Sequence, residues 1–206
     1  RSQAMTICRS NFNFTANNCL FTNNKEIETC RNGGAIMLQY SGDNKVRFVD
    51  CDFTKNISWN VGGVIVHRAG VVYFEDCEFK GNKAGDNSGW CSGVYHINDA
   101  KTKGVFTNCT IENNSVSKGG GGAFCNMEAG TLEMTNCTFK NNSATGDEPN
   151  NQGTPPEGAV IRMQKGNPTL TLNGCVFENN TSINGAGAIA VESGTLKITS
   201  STGAAG

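Results

Sequence analysis

The chain has 206 residues, 17 basic and 18 acidic, and a formal net charge of −1. The charges are interspersed, which excludes a basic face for nucleic acid or an anionic membrane surface, and no apolar run approaches the ~18–20 residues of a membrane span. Ten cysteines and two histidines, with no Cys-x-x-Cys pair, argue against a metal site and for an oxidising, secreted setting, and no cofactor is expected.

In chain order, a weak small-small-Ala-apolar quartet, Ser2-Gln3-Ala4-Met5, comes first. A second motif follows, with a Cys, an apolar residue two later and an Asn three beyond that: Cys19-x-Phe21-x-x-Asn24. The two then alternate. Quartets stand at Gly33–Ile36, Gly62–Ile65, Ser92–Tyr95, Gly121–Phe124, Glu157–Val160 and Ala186–Ile189. The Cys motif returns as Cys51-x-Phe53-x-x-Asn56, Cys77-x-Phe79-x-x-Asn82 and Cys109-x-Ile111-x-x-Asn114, then as Cys137-x-Phe139-x-x-Asn142 and Cys175-x-Phe177-x-x-Asn180. Apolar alternation precedes most of these cysteines, as in Val46-Arg47-Phe48, Val72-Tyr73-Phe74, Leu132-Glu133-Met134 and Leu170-Thr171-Leu172, and recurs at Leu196-Lys197-Ile198.

Each unit, 26 to 38 residues long, holds three β-prone segments separated by Gly, Asn or Asp, with almost no helical periodicity. A unit this short cannot bury its own apolar face, but stacking equivalent units ~4.8 Å apart does so. The expected fold is all-β: a right-handed, single-stranded parallel β-helix of the pectate-lyase kind. About six full coils and a partial seventh run over residues 1–206 as one repeat array from a longer surface protein. The residues before the ladder cysteines, Asn18, Asp50, Asp76, Asn108, Asn136 and Gly174, tolerate left-handed backbone. A bend there resets the in–out alternation, so that Cys and Phe both point inward. The recurrent Asn is expected to stack as an amide ladder.

The paired motifs Phe-x-x-Asn and Gly-Gly-Ala-Ile resemble those of the chlamydial polymorphic outer membrane proteins, over about Ala4 to Ile198. Phe21, Phe53, Phe79, Phe139 and Phe177 match the aromatic position and Ile111 replaces it once. The resemblance implies an exported passenger β-helix that mediates adhesion, although the membrane-anchoring barrel of that family has no counterpart in this sequence. Ser201 and Gly203 stand where the next Cys and Phe are due.

Function is therefore expected to be non-catalytic: an extracellular adhesin, or a stalk or filament module. Its expected partners are a host or neighbouring cell-surface protein, a glycan, or copies of itself. The competing reading is a polysaccharide lyase or hydrolase, for which outward Asp52 and Glu78 on adjacent coils are the candidate carboxylates. Cys19, Cys51, Cys77, Cys109, Cys137 and Cys175 either form axial disulfides or stack as free buried thiols. Cys8, Cys30, Cys91 and Cys125 fall outside that ladder and read as loop staples. The structural ladder comprises these six cysteines with Asn24, Asn56, Asn82, Asn114, Asn142 and Asn180. Trp59 and Trp90 are candidate contact residues, Trp90 within a loop at Lys83–Trp90, and the longest insertion is placed at Ser143–Pro156. Asn13, Asn56 and Asn113 are the first candidate glycosylation sites, being in Asn-x-Ser/Thr sequons. His67 and His96 read as ordinary surface or sheet residues. The stripe Ile36, Ile65, Tyr95, Phe124, Val160 and Ile189 is ambiguous in facing, with His67, Asn126 and Arg162 two residues on favouring outward.

Overall fold

The computed structural model describes residues 4–7, 13–26, 33–39, 45–85, 92–97, 99–117, 121–126, 129–145, 158, 160–183 and 185–200. Every strand pair is parallel, and each strand pairs with its equivalent one coil away. Seven strands from Met5–Ile7 to Ile189–Val191 make the quartet sheet, and seven from Phe14–Asn17 to Thr195–Thr199 make the sheet preceding Cys. Six from Leu20–Thr22 to Val176–Glu178 make the Phe sheet; five two-residue strands from Ile57–Ser58 to Thr181–Ser182 make a corner sheet. This is a parallel β-solenoid, and no helix occurs among the described residues.

Two recurring series of left-handed positions turn the chain beside the cysteines and the ladder asparagines, and further ones stand in the quartets at Gly33, Gly62 and Gly158. The residues before the ladder cysteines have φ of 50° (Asn18), 51° (Asp50), 54° (Asp76), 55° (Asn108), 53° (Asn136) and 61° (Gly174). A second series, not anticipated from sequence, stands directly before the ladder asparagines: Asn23, Lys55, Gly81, Asn113, Asn141 and Asn179, with φ from 53° to 65°. Such φ values cost an ordinary L-residue ~1–2 kcal/mol, which explains the Asn and Gly there and makes Lys55 the exception.

The quartet packs backbone against backbone. A Cβ at Gly34 would lie 2.3 Å from the Gly63 carbonyl oxygen, and one at Gly63 would lie 2.1 Å from that of Gly93. Only hydrogen fits between coils there. The stripe, ambiguous in sequence, faces inward: Ile36, Ile65, Tyr95 and Phe124 are fully buried in the core. Two features obscured the facing in the sequence. His67 itself points inward, and Phe124 pairs with Ile161, so the sixth quartet is Gly158–Ile161 rather than Glu157–Val160. Arg162 then follows the stripe by one residue and belongs to the opposite face.

Inside, two aromatic stacks run along the axis. Phe21, Phe53 and Phe79 stack at 4.9 and 4.8 Å, and Phe48, Phe74 and Phe106 at 5.2 and 4.7 Å. The stacks meet edge to face, as at Phe74–Phe79 (5.3 Å, 74°), the geometry favoured by the ring quadrupole. Where Ile111 interrupts the first stack, Phe124 enters from the quartet sheet and meets Phe106 at 5.2 Å and Phe139 at 6.0 Å. The expected insertions begin later than sequence suggested. Lys83–Ala84 and Ser143–Ala144 are still corner strands, and 86–91 and 146–157 lie outside the described residues.

Candidate functional site

The six recurrent asparagines form one continuous ladder. Asn24, Asn56, Asn82, Asn114 and Asn142 each donate Nδ2–H to Oδ1 of the next, at 2.8–3.0 Å. Each backbone N–H points to the same oxygen at 2.9–3.1 Å. The second Nδ2–H bonds a carbonyl of the preceding coil, Asn82 to Phe53 at 2.8 Å and Asn180 to Phe139 at 3.0 Å. An interior member such as Asn82 thus fills all four side-chain positions. Asn56 is completely buried with its amide committed, so it is no glycosylation site in the folded chain. Asn13 and Asn113 are exposed.

The seven described cysteines are free. Axial disulfides are absent from the ladder, where each Sγ lies 3.2–3.7 Å from the carbonyl two residues before it. From Cys51 onward each also lies 3.5–3.6 Å from a carbonyl of the preceding coil. Burial pushes the Cys51 thiol up to about 11, as expected of a small core residue rather than a nucleophile. Cys125 is buried, not a loop residue; Cys8, Cys30 and Cys91 lie outside the described residues, as does Trp90. Trp59 is half-buried.

Asp52 and Glu78 are brought into register on the outward face of the Phe sheet. Glu78 is engaged by Lys80 (3.6 Å), which also reaches Glu112 (3.2 Å). The same zipper recurs elsewhere as Lys103–Glu133 (2.7 Å) and Lys140–Glu178 (3.5 Å).

Two polar clusters escaped the sequence reading. His67 occupies a core position in register with Leu38 and Ile97, and its Nδ1 meets the Tyr95 hydroxyl while Nε2 lies 2.8 Å from the Ala69 carbonyl. Nε2 therefore carries the hydrogen and Nδ1 accepts from Tyr95, the neutral form favoured by burial, which pulls this histidine down to about 4. Tyr95 fits because Gly104 stands where neighbouring coils carry Val72 and Leu132. A Cβ at Gly104 would lie 2.9 Å from the Tyr95 hydroxyl. That Gly among Val and Leu was the available signal. On the other side of the quartet sheet, His96, Cys125 and Arg162 form a buried row in register. Arg162 Nε donates to Glu192 at 2.6 Å; burial draws His96 down to about 4 and Cys125 up to about 11. Among the described residues no group of three or more His, Cys, Asp or Glu could hold a metal.

The solvent-reachable candidate lies on the sheet preceding Cys. Its strands turn Ala16, Val46, Phe48, Val72 and Phe74 inward and leave Thr15, Lys45, Arg47 and Tyr73 on the outer face. Thr15 pairs with Arg47, and Arg47 with Tyr73. With Asn13 these four line a cleft of about 370 Å³, at the small end of ligand sites. Glu75 engages Arg47 and raises its basicity, by hydrogen bond first and charge second. The Lys45 backbone N–H reaches Asn13 Oδ1 at 3.4 Å.

A family described as a right-handed β-helix region matches residues 2–202. No curated protein and no solved structure matches the chain.

Proposed function

Because the chain belongs to the right-handed β-helix family, we propose that it acts outside the cell as a non-catalytic surface module, an adhesin-like scaffold that binds a glycan or protein partner. The resemblance to chlamydial polymorphic outer membrane proteins supplies the adhesive analogy, and analogy of fold alone does not carry function. The observation that carries the reading is the fate of the outward carboxylates. Glu75, Glu78, Glu112, Glu133 and Glu178 are each engaged by Arg or Lys, mostly across coils. A hydrolase or lyase needs acidic groups held unpaired and shifted toward its working pH; here these five are paired, and the exposed Asp52, outside the ion pairs, has in register only Leu20 and the engaged Glu78, so it lacks a second unpaired carboxylate. Exposed pairs of this kind stabilise little one by one, ~0–1 kcal/mol each. Loop edges and lateral sheet faces on such a scaffold are where binding is expected.

The test pairs two readouts on the purified chain. Fluorescently labelled protein is incubated with cells bearing surface glycans, and acidic polysaccharides incubated with it are sized. Saturable cell binding with unchanged polysaccharide length is expected, whereas progressive shortening abolished by Asp52→Asn or Glu78→Gln would make it an enzyme. Negative-stain images across a concentration series separate discrete short rods, as expected, from rods that lengthen and mark a filament subunit.

A further inference from the structure

We infer that neighbouring thiols of the cysteine ladder bind a soft divalent cation of linear, two-coordinate chemistry, with one ion held between two successive coils. The mercuric ion is the type of that chemistry. Such a site is independent of the surface-module reading and uses groups to which that reading gives no task.

Spacing comes first. The coils are locked in register beside the ladder, where the Glu78 N–H meets the Cys51 carbonyl and the Thr110 N–H that of Cys77, both at 3.0 Å. From Cys51 to Cys175 every Sγ keeps the same two carbonyl contacts, one in its own coil and one in the coil before. Each sulfur therefore sits alike in its coil, and successive sulfurs repeat at the strand spacing of ~4.8 Å. A metal–thiolate bond of ~2.3 Å, laid twice in line, spans ~4.6 Å. A cation thus fits between two sulfurs as they stand, whereas a disulfide requires Cβ atoms drawn in to ~3.8 Å. The sulfurs also sense one another. A neighbouring thiol is the first cause of the lowered pKa at Cys77 and at Cys137, and of the raised pKa at Cys109 and at Cys175.

Ligand number and charge then select the ion. Thiolate sulfur favours soft metals. Each gap offers two sulfurs in line, and among the described residues no group of three or more His, Cys, Asp or Glu could complete a tetrahedral zinc site. Binding breaks two S–H bonds, forms two sulfur–metal bonds and sends two protons to solvent. A divalent ion then leaves a neutral unit within the apolar core that holds Cys51, Cys77, Cys109 and Cys137. A monovalent ion would leave a net negative charge buried beside carbonyl oxygens, which is costly. Those same carbonyls suit a cation. Because each ion takes two neighbours, the six ladder cysteines hold three ions at most.

The experiment uses the reduced full chain with Cys8, Cys30, Cys91 and Cys125 replaced by Ala, so that only ladder thiols remain. Mercuric chloride is loaded slowly, since the buried row is reached by local opening. Excess N-acetylcysteine then competes, and the ions retained per chain are counted by native mass spectrometry. Three are expected, each with two sulfurs at ~2.3 Å by X-ray absorption. Silver(I), the monovalent probe, is expected to be surrendered to the competitor. Two double variants keep four ladder thiols each. Cys19→Ala with Cys51→Ala leaves two neighbouring pairs and should retain two ions. Cys51→Ala with Cys109→Ala leaves one pair and should retain one. Equal retention by the two variants, loss of all mercury to the monothiol, three or more sulfurs around each ion, or silver held as firmly as mercury would overturn the site. If a variant fails to fold, the retained number and the sulfur count in the intact ladder still decide.

Discussion

Asn82 and Asn113 show how one residue type serves opposite ends. Asn82 is fully buried and exchanges four side-chain hydrogen bonds with two neighbouring coils, whereas Asn113 is exposed and is suited to its φ of 57°. Asn82→Ala leaves Asn56 donors and the Phe53 carbonyl unpaired in the interior. It should cost ~2–4 kcal/mol, read as a lower denaturant midpoint. Asn113→Gly should change the midpoint by less than ~1 kcal/mol, since Gly accepts left-handed backbone at least as well. His67 gives a pH dependence with a definite sign. Its folded pKa, like that of His96, is lowered to about 4 from an ordinary 6.5, so the contribution is complete above 6.5 and is lost as pH falls toward 4. Each histidine can withdraw up to ~3 kcal/mol by the cost of a pKa unit. His67→Leu with Tyr95→Phe, which copies the Leu38 position one coil earlier, should remove about half of that acid-induced loss. A midpoint flat between pH 7 and 4 in the unaltered chain would contradict the buried placement.

At the scale of the element, the aromatic stack explains which deviations from the repeat are tolerated. Ile111 is short where Phe stands in its neighbours, and Phe124 fills the space from another sheet. Ile111→Phe alone should overpack the core and cost ~1–3 kcal/mol. Adding Phe124→Ile, which restores the residue found at Ile36 and Ile65, should recover most of it, and additive losses in that double-mutant cycle would refute the compensation. Such pairings explain what the sequence makes legible. The Cys bend and the Asn ladder repeat at one-residue resolution, so their positions could be read directly. The facing of the quartet strand could not, because Ile65, Val66 and His67 are all buried and the strand offers no polar side to mark its outside. Nor could the Tyr95–His67 bond, which depends on Gly104 from a different sheet. The cleft was equally hidden, since Asn13, Arg47 and Tyr73 come from three successive coils and share no local motif.

For the whole molecule, stability comes from identical contacts repeated along one axis, so each coil depends on the coils on both sides. Hydrogen exchange by NMR tests that claim most directly. The backbone amides of Asn56, Asn82 and Asn114 each bond the side chain of the next coil. The account predicts that these amides exchange slowest, with protection falling toward Met5–Ile7 at one end and Thr195–Thr199 at the other. Central ladder amides that exchange as fast as those of the terminal strands would contradict a continuous axial stack, and with it the rigid scaffold on which the proposed surface role depends.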